Sequence, residues 1–511
     1  MMKFIIFCLV FLLSATSTFA FGQSKKRPNI IVFLVDDMGW QDSSEPFWTE
    51  ITSLNRKYHT PNMERLAKEG AKFTNAYANP VCTPTRVSML SGMTAAHHGV
   101  TNWTSPAPNN NTDALDKQFG AASWNYNGMS PVPNIPHTFH ATPFPKILKD
   151  AGYFTVHVGK AHWGSAGTPG ANPYNMGFMV NISGHAAGHP QNYLGQENYG
   201  NLPGKASWQA VPDLEEYYGR DTFLTEALTL EAIKALEQPI KEGKPFYLNM
   251  AHYAVHVPLQ ADKRFYQKYI DTGLGESEAM YASLLEGMDK SLGDLMDYLQ
   301  EKGIADNTIV IFMSDNGGLS LSPPRGGSPH SQNSPLRAGK GSVYEGGIRE
   351  PMLVKWPGVA KAGSVVNQYV MIEDFFPSIL EMASVPSTEI VQSIDGKSFV
   401  PYLKNPNLSD STRALIWHSP NKWTTDDGPG INYKSAIRKG DWKLIYNMRD
   451  TSFELYNLKN DIQESHNLAV HYSDKVKELG QLLSDKLRKW RAPMPINKTS
   501  GQPVPMPDRY D

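Results

Sequence analysis

The sequence predicts an α/β fold: a large doubly wound sheet, mixed or parallel, flanked by helices and followed by a smaller C-terminal α+β subdomain. Three observations carry this. Apolar runs rich in branched residues end abruptly in carboxylates, as in residues 28–37 (PNIIVFLVDD) and 308–316 (TIVIFMSDN), which is the pattern of strands buried on both faces. Segments of helical period alternate with these runs, as they must when helices cover both faces of a sheet. After about Thr388 the texture changes. The expected organisation is a leader over 1–20, a large domain over 28–387 and a subdomain over 388–500. A chain of 511 residues exceeds what one core usually serves.

Residues 153–158, 246–250 and 351–356 read as further short strands. Thr60 reads as an N-cap with Pro61 in the first turn, Met63, Leu66 and Ala67 on one face, and Gly70 closing the helix. Longer amphipathic helices are expected over 222–236 and 281–299. Residues 102–218, rich in Asn, Gly, Pro, Trp and Tyr, read as long loops over the sheet edge. Trp103, Trp124 and Tyr126 within them are read as pins to the core rather than platforms for sugar rings. In the subdomain, 435–446 and 453–458 read as strands of a small antiparallel sheet. Ser473 caps a helix with Val476, Leu479, Leu483, Leu487 and Trp490 on one face.

Forty-eight Lys and Arg against fifty Asp and Glu leave a net charge of −2, so no nucleic-acid or anionic-membrane partner is expected and any anion site must be local. Lys3, an apolar stretch over 4–13 and Thr18-Phe19-Ala20 form a targeting segment, so the protein is expected to be exported, periplasmic or secreted. That stretch is too short for an ordinary spanning helix, and no stable membrane span is expected. Bulky Phe7 beside Cys8, inside the apolar stretch, speaks against a lipid anchor. Removing the leader leaves Cys82 as the lone cysteine, an unusual state in an oxidising compartment.

Cys82 opens the segment CTPTR. Pro84 suits a first helical turn, so Cys82 would lie where free N–H groups favour anions, with Arg86 one turn on and facing the same way. Asp36 and Asp37 end one strand, and Asp315 and Asn316 another. Three carboxylates and an amide suit a hard cation, and ligands supplied almost wholly by protein favour calcium over magnesium. Lys160 and His162 follow one strand and His256 another, with His252 upstream. Arg337 and Lys340 precede the segment YEGG. These groups recur after strands on one implied sheet edge, where sites in open α/β sheets lie.

Taken together, Asp36-Asp37, CTPTR, GKAHWG at 159–164, His256-x-Pro, SDNGG at 314–318 and GKGSVYEGGIREP at 339–351 resemble the formylglycine-dependent sulfatases of the alkaline phosphatase superfamily. The resemblance implies hydrolysis of a sulfate monoester, on a sulfated small molecule or glycan, as carried out by bacterial carbohydrate sulfatases. A galactose-type sugar attacked at a chain end is the expected substrate. The resemblance implies that a maturation enzyme converts Cys82 to formylglycine (3-oxoalanine). It implies one calcium ion held by Asp36, Asp37, residue 82, Asp315 and Asn316. Arg86, Lys160 and Lys340 are implied as cationic partners and His162 and His256 as acid–base groups. His252 and Arg337 are expected to bind substrate. The hydrated aldehyde would supply a hydroxyl nucleophile. Asp315 would accept its proton, His256 with Lys340 would protonate the departing alcohol, and His162 would act in sulfate release. Thr85 stands where the family more often has Ser, which keeps a hydroxyl. The rival readings are a phosphate or phosphonate ester hydrolase of the same superfamily, with two zinc-type sites, and a non-catalytic protein that holds sulfated glycans.

Overall fold

Strand β1 (Asn29–Val35) is buried along its whole length and serves two cores. Ile31, Phe33 and Val35 point into one, and Ile30, Val32 and Leu34 into the other. A period of two with both faces apolar places the strand at the centre of a sheet covered on each side. In this computed structural model, residues 26–386 and 389–509 are described. The expected leader, Cys8 and the 387/388 boundary lie outside them.

In chain order there follow α1 (Pro61–Glu69), β2 (Ala71–Tyr77), α2 (Cys82–Ser91), β3 (Phe154–Gly159) and β4 (Val180–Ile182). Next come α3 (Leu224–Lys241), β5 (Phe246–Ala251), α4 (Glu276–Glu301), β6 (Thr308–Ser314) and β7 (Arg349–Lys355). The short strands β8 (Ser364–Val366) and β9 (Val370–Met371) and helix α5 (Phe375–Met382) complete the larger unit. The nine-stranded sheet has the order β8–β2–β7–β6–β1–β5–β3–β4, with β9 beside β2. Strands β6, β1, β5, β3 and β4 run parallel, whereas β7 is antiparallel to both β6 and β2, so the sheet is mixed. Helices α1, α3 and α4 cover one face, and α2 and α5 the other.

Four antiparallel strands, β10 (Ala414–Ser419), β11 (Lys434–Lys439), β12 (Trp442–Asn447) and β13 (Phe453–Asn457), form the smaller sheet. Helix α6 (Ser473–Trp490) covers one face with Val476, Leu479, Leu483 and Leu487. Trp490 is only partly buried and sends its Nε1–H to Asp395 at 3.0 Å. The opposite face of the small sheet, with Leu415, Trp417 and Ile445, packs on Tyr77, Tyr344 and Ile348 of the larger unit. Beside it, buried Lys443 bridges Glu345 and Glu464 at 2.9 and 2.8 Å.

Two local expectations differ. Thr60 makes no side-chain cap to α1, because its hydroxyl bonds Ser44. The carboxylate of Asp289 on α4 caps instead, accepting from the N–H groups of Asn62 and Met63 at 3.0 and 2.8 Å. Residues 435–446 form a hairpin folded at Gly440 rather than one strand.

The helix that carries Cys82 is buried on all sides. His98 anchors it. The N–H of Val100 donates to Nδ1 at 3.0 Å, which leaves the proton on Nε2 to reach Ser88 Oγ on α2 at 2.9 Å. Burial, then neighbouring His97, pushes the His98 pKa from 6.5 down to about 3. The unfolded state thus binds the extra proton between those values, and stability from neutral His98 is complete above 6.5 and is lost as pH falls below it. At pH 5 the loss is about 2 kcal/mol. Relative to wild type, His98→Gln is therefore expected to be destabilised at pH 7.5, with the gap closing by about that amount at pH 5 in urea unfolding. A gap independent of pH refutes the assignment.

Candidate active site

Because β6, β1, β5 and β3 are adjacent and parallel, their carboxyl ends share one edge. Asp36 and Asp37 leave β1, Asp315 and Asn316 leave β6, Lys160 and His162 follow β3, and His256 follows β5. Backbone bonds lock these ends together: the Asp36 N–H donates to Ala254 O at 3.0 Å and the Asp315 N–H to Val35 O at 2.9 Å. Cys82 opens α2 at the same edge, where the unpaired N–H groups of the first turn favour negative charge. The Thr85 hydroxyl fixes the approach, accepting from the Asn79 N–H at 2.9 Å. A Ser hydroxyl offers the same bond.

Each carboxylate has a cation. Arg86 donates from Nε and Nη2 to Asp315 Oδ2 at 2.9 and 2.7 Å and from Nη1 to the Lys160 carbonyl at 2.8 Å. Lys160 Nζ lies 2.6 Å from Asp36 Oδ2, and Lys340 Nζ lies 2.6 Å from Asp37 Oδ1. All six side chains are buried. Asp315 is thereby committed to Arg86, so the proton-accepting role expected of it has no free Oδ2 to act through.

The pairing leaves a remainder. Asp36 Oδ1 and Asn316 Oδ1 are buried with no hydrogen-bond donor, while Asn316 Nδ2 donates to Asp37 Oδ1 at 2.7 Å. Burial, then the Asp315 carboxylate, pushes Asp36 above the usual carboxylate range, against the pull of Lys160. Burial would raise Asp37 as well, but His256 and Lys340 hold it below the usual carboxylate range. Asp36, Asp37 and His256 bring ligand atoms within 4.8 Å of one another. Uncompensated oxygens among carboxylates suit a hard cation, and this cluster can hold a metal ion.

Neighbours also set the two imidazole tautomers. His256 Nδ1 lies 2.9 Å from the Val257 carbonyl and carries the proton, so Nε2 accepts from Lys340 Nζ at 2.9 Å. His162 Nε2 faces the Thr104 carbonyl at 3.3 Å, leaving the Nδ1 lone pair 3.4 Å from Cys82 Sγ. Burial holds both pKa values well below 6.5, with Lys340 adding to the effect at His256 and Lys160 at His162. Gly188 packs on His162, where an added Cβ would fall 2.5 Å from Cε1.

A cavity of about 240 Å³ opens above these groups, reached by Cys82, His162, His256 and Lys340. Its outer wall holds His189, Trp103, Trp208 and Trp423. Of these the sequence singled out Trp103 alone, and as a pin. Trp124 and Tyr126 are pins, the first bonded to Thr101 and the second stacked on His137. His189 and Trp208 come from the irregular 102–218 segment and Trp423 from the loop before β11, so neither period nor motif marks them.

Two expected substrate contacts are corrected. His252 is fully buried beneath the site, tilted against the Phe33 ring and bonded to Ser291 on α4 at 2.8 Å. His252 follows directly on the end of β5, and its side chain falls on the core side. Arg337 instead ties the two sheets, donating to Tyr456 Oη and the Glu464 carbonyl and lying over the Tyr344 ring.

The profile of the family described as Sulfatase matches residues 28–385, and that of "N-sulphoglucosamine sulphohydrolase, C-terminal" matches 339–493. A Formosa agariphila protein named "Sulfatase" is 31% identical over 96% of this chain and 95% of its own length. The Mus musculus N-acetylgalactosamine-6-sulfatase is 31% identical over 83% of this chain and 79% of its own. The crystal structure of Ps i-CgsB superposes with a TM-score of 0.68 at 26% identity, covering 90% of this chain and 93% of that one. The same protein has been crystallised with k-i-k-neocarrahexaose. The chain belongs to the sulfatase family and is a sulfuric ester hydrolase.

Proposed function

We propose that the protein is exported and removes sulfate from a sulfated sugar, using an aldehyde made from Cys82 and one calcium ion. The observation that carries this reading is the convergence of Cys82, two unsatisfied buried oxygens and three buried cations at one strand edge. The sugar is supported by relatives named for N-acetylgalactosamine 6-sulfate and crystallised with a neocarrahexaose. A galactose-type unit at a chain end fits a cavity smaller than the roughly 300–1,000 Å³ of drug-sized pockets.

Asp36, Asp37, Asp315 and Asn316 would hold calcium, with residue 82 beside them. Calcium supplies Lewis acidity and the hydrated aldehyde a hydroxyl nucleophile, which a thiol does not. The thiol-to-aldehyde oxidation is the work of a maturation enzyme and its oxidant. The chain's own residues do the rest. Arg86, Lys160 and Lys340 counter the charge that develops on the sulfuryl oxygens, where losing one well-placed donor costs about a hundredfold or more. The departing alcohol takes its proton from the Lys340–His256 pair, because neutral His256 already receives a hydrogen bond from Lys340. The Nδ1 lone pair of His162 faces residue 82 and accepts a proton there as sulfate leaves.

The phosphatase rival calls for two zinc-type sites, whereas among the described residues one candidate metal cluster is found.

Two measurements test this reading. Peptide mass spectrometry of protein co-expressed with a formylglycine-generating enzyme is expected to show residue 82 lighter by the difference between CH2SH and CHO. An unmodified thiol in active protein overturns the nucleophile assignment. His256→Ala is expected to cut kcat on a sugar sulfate by about 10²–10⁴, and on 4-nitrophenyl sulfate, whose leaving group needs little protonation, much less. Equal losses on both substrates contradict the acid role.

A further inference from the structure

The outer wall of the cavity differs in chemistry from the anion centre beneath it. Among the described residues lining the cavity the one Lys or Arg is Lys340, which belongs to the anion centre and is already bonded to Asp37 and His256. Arg86 and Lys160 lie beneath it, paired with Asp315 and Asp36 and directed at the anion centre rather than the outer wall, and Arg337 lies outside. Beyond the anion centre the wall is aromatic and aliphatic: Trp103, Trp208, Trp423, Leu319 and Val81.

Among the described residues of that outer wall the titratable group is His189, fixed as a neutral ring. Its Nδ1 lies 3.0 Å from the Pro190 carbonyl and so carries the proton, and Nε2 accepts from Gln209 Nε2 at 2.5 Å. Burial, opposed by the Pro190 bond and reinforced by Lys160 and Lys340, pulls its pKa below 6.5. Its ring is parallel to that of His256 (centroids 5.4 Å apart, planes at 3°), and Trp208 meets it edge-on with centroids 6.2 Å apart. Trp423 is seated on the backbone beside Lys340: a Cβ on Gly341 would fall 2.2 Å from its ring. The indoles are thus held at the mouth by packing, and among the described lining residues there is no further cation to pair a second negative charge.

We infer that Trp208 and Trp423 grip the apolar C–H face of a single sugar ring that carries one sulfate and is otherwise uncharged, and that the wall rejects rings bearing a second sulfate or a carboxylate. This rests on the sulfatase reading of the same site. Apolar ring faces match indole faces, while a second anion here would be desolvated without a partner. Discrimination comes from what the wall lacks as well as from what it offers.

Binding tests the wall separately from turnover. Unmatured full-length protein with calcium is titrated calorimetrically with galactose sulfated once, at each ring position in turn, and with galactose bearing a second sulfate. At least one monosulfate is expected to bind tenfold or more tightly than every disulfate that contains it. Trp208→Ala, at a half-exposed position, is expected to weaken that monosulfate about five- to tenfold, and Trp208→Phe to restore most of the loss. Disulfates binding as tightly, no monosulfate binding, or Trp208→Ala binding like wild type each overturns the proposal. Preserved preference in a protein that, once matured, hydrolyses none of these esters would count against the chemistry and leave the wall assignment standing.

Discussion

Three buried carboxylate–cation pairs at the carboxyl ends of adjacent strands are the constraint on which the rest depends. Taking six charges out of water is costly, and mutual attraction repays it only when geometry is good and the remaining lone pairs are used. Removing one member of such a pair costs about 3–5 kcal/mol, because its partner stays behind uncompensated. The sheet supplies the geometry. β1, β6 and β3 deliver Asp36, Asp315 and Lys160 in fixed register, and the buried helix α2 brings Arg86 to bridge two of these ends. Asp36 Oδ1 and Asn316 Oδ1 are the part of the account that protein atoms do not close.

The same packing decides which imidazoles can act. His162 and His256 each have one nitrogen tied to a backbone carbonyl and the other turned to the site, so both tautomers are set before substrate arrives. His252, only four residues before His256, has the same chemistry and none of the access. Position on the edge, rather than residue type, separates a histidine that faces the cavity from one that packs in the core.

The doubly wound sheet was legible because its central strands are apolar on both faces and end in carboxylates, a pattern that leaves few alternatives. The pairs Asp36-Asp37 and Asp315-Asn316 were legible for the same reason. β2 escaped, since AKFTNAY mixes Lys, Thr and Asn with apolar residues at a half-buried position. The cap on α1 escaped because Asp289 lies more than two hundred residues from the helix it caps. The outer wall escaped because His189, Trp208 and Trp423 sit in irregular chain, where only the folded path brings them together. Arg337 misled through its closeness in sequence to Lys340: a few residues of loop carry it to the other sheet.

The central claim is that the two unsatisfied oxygens mark a calcium site at residue 82. It is tested most directly by a crystal structure of the matured protein grown with calcium. An ion is expected within about 2.3–2.6 Å of Asp36 Oδ1 and Asn316 Oδ1, with further oxygen ligands from Asp37, Asp315 and residue 82. Density with no ion there, or calcium bound elsewhere while both oxygens stay bare, would contradict the account.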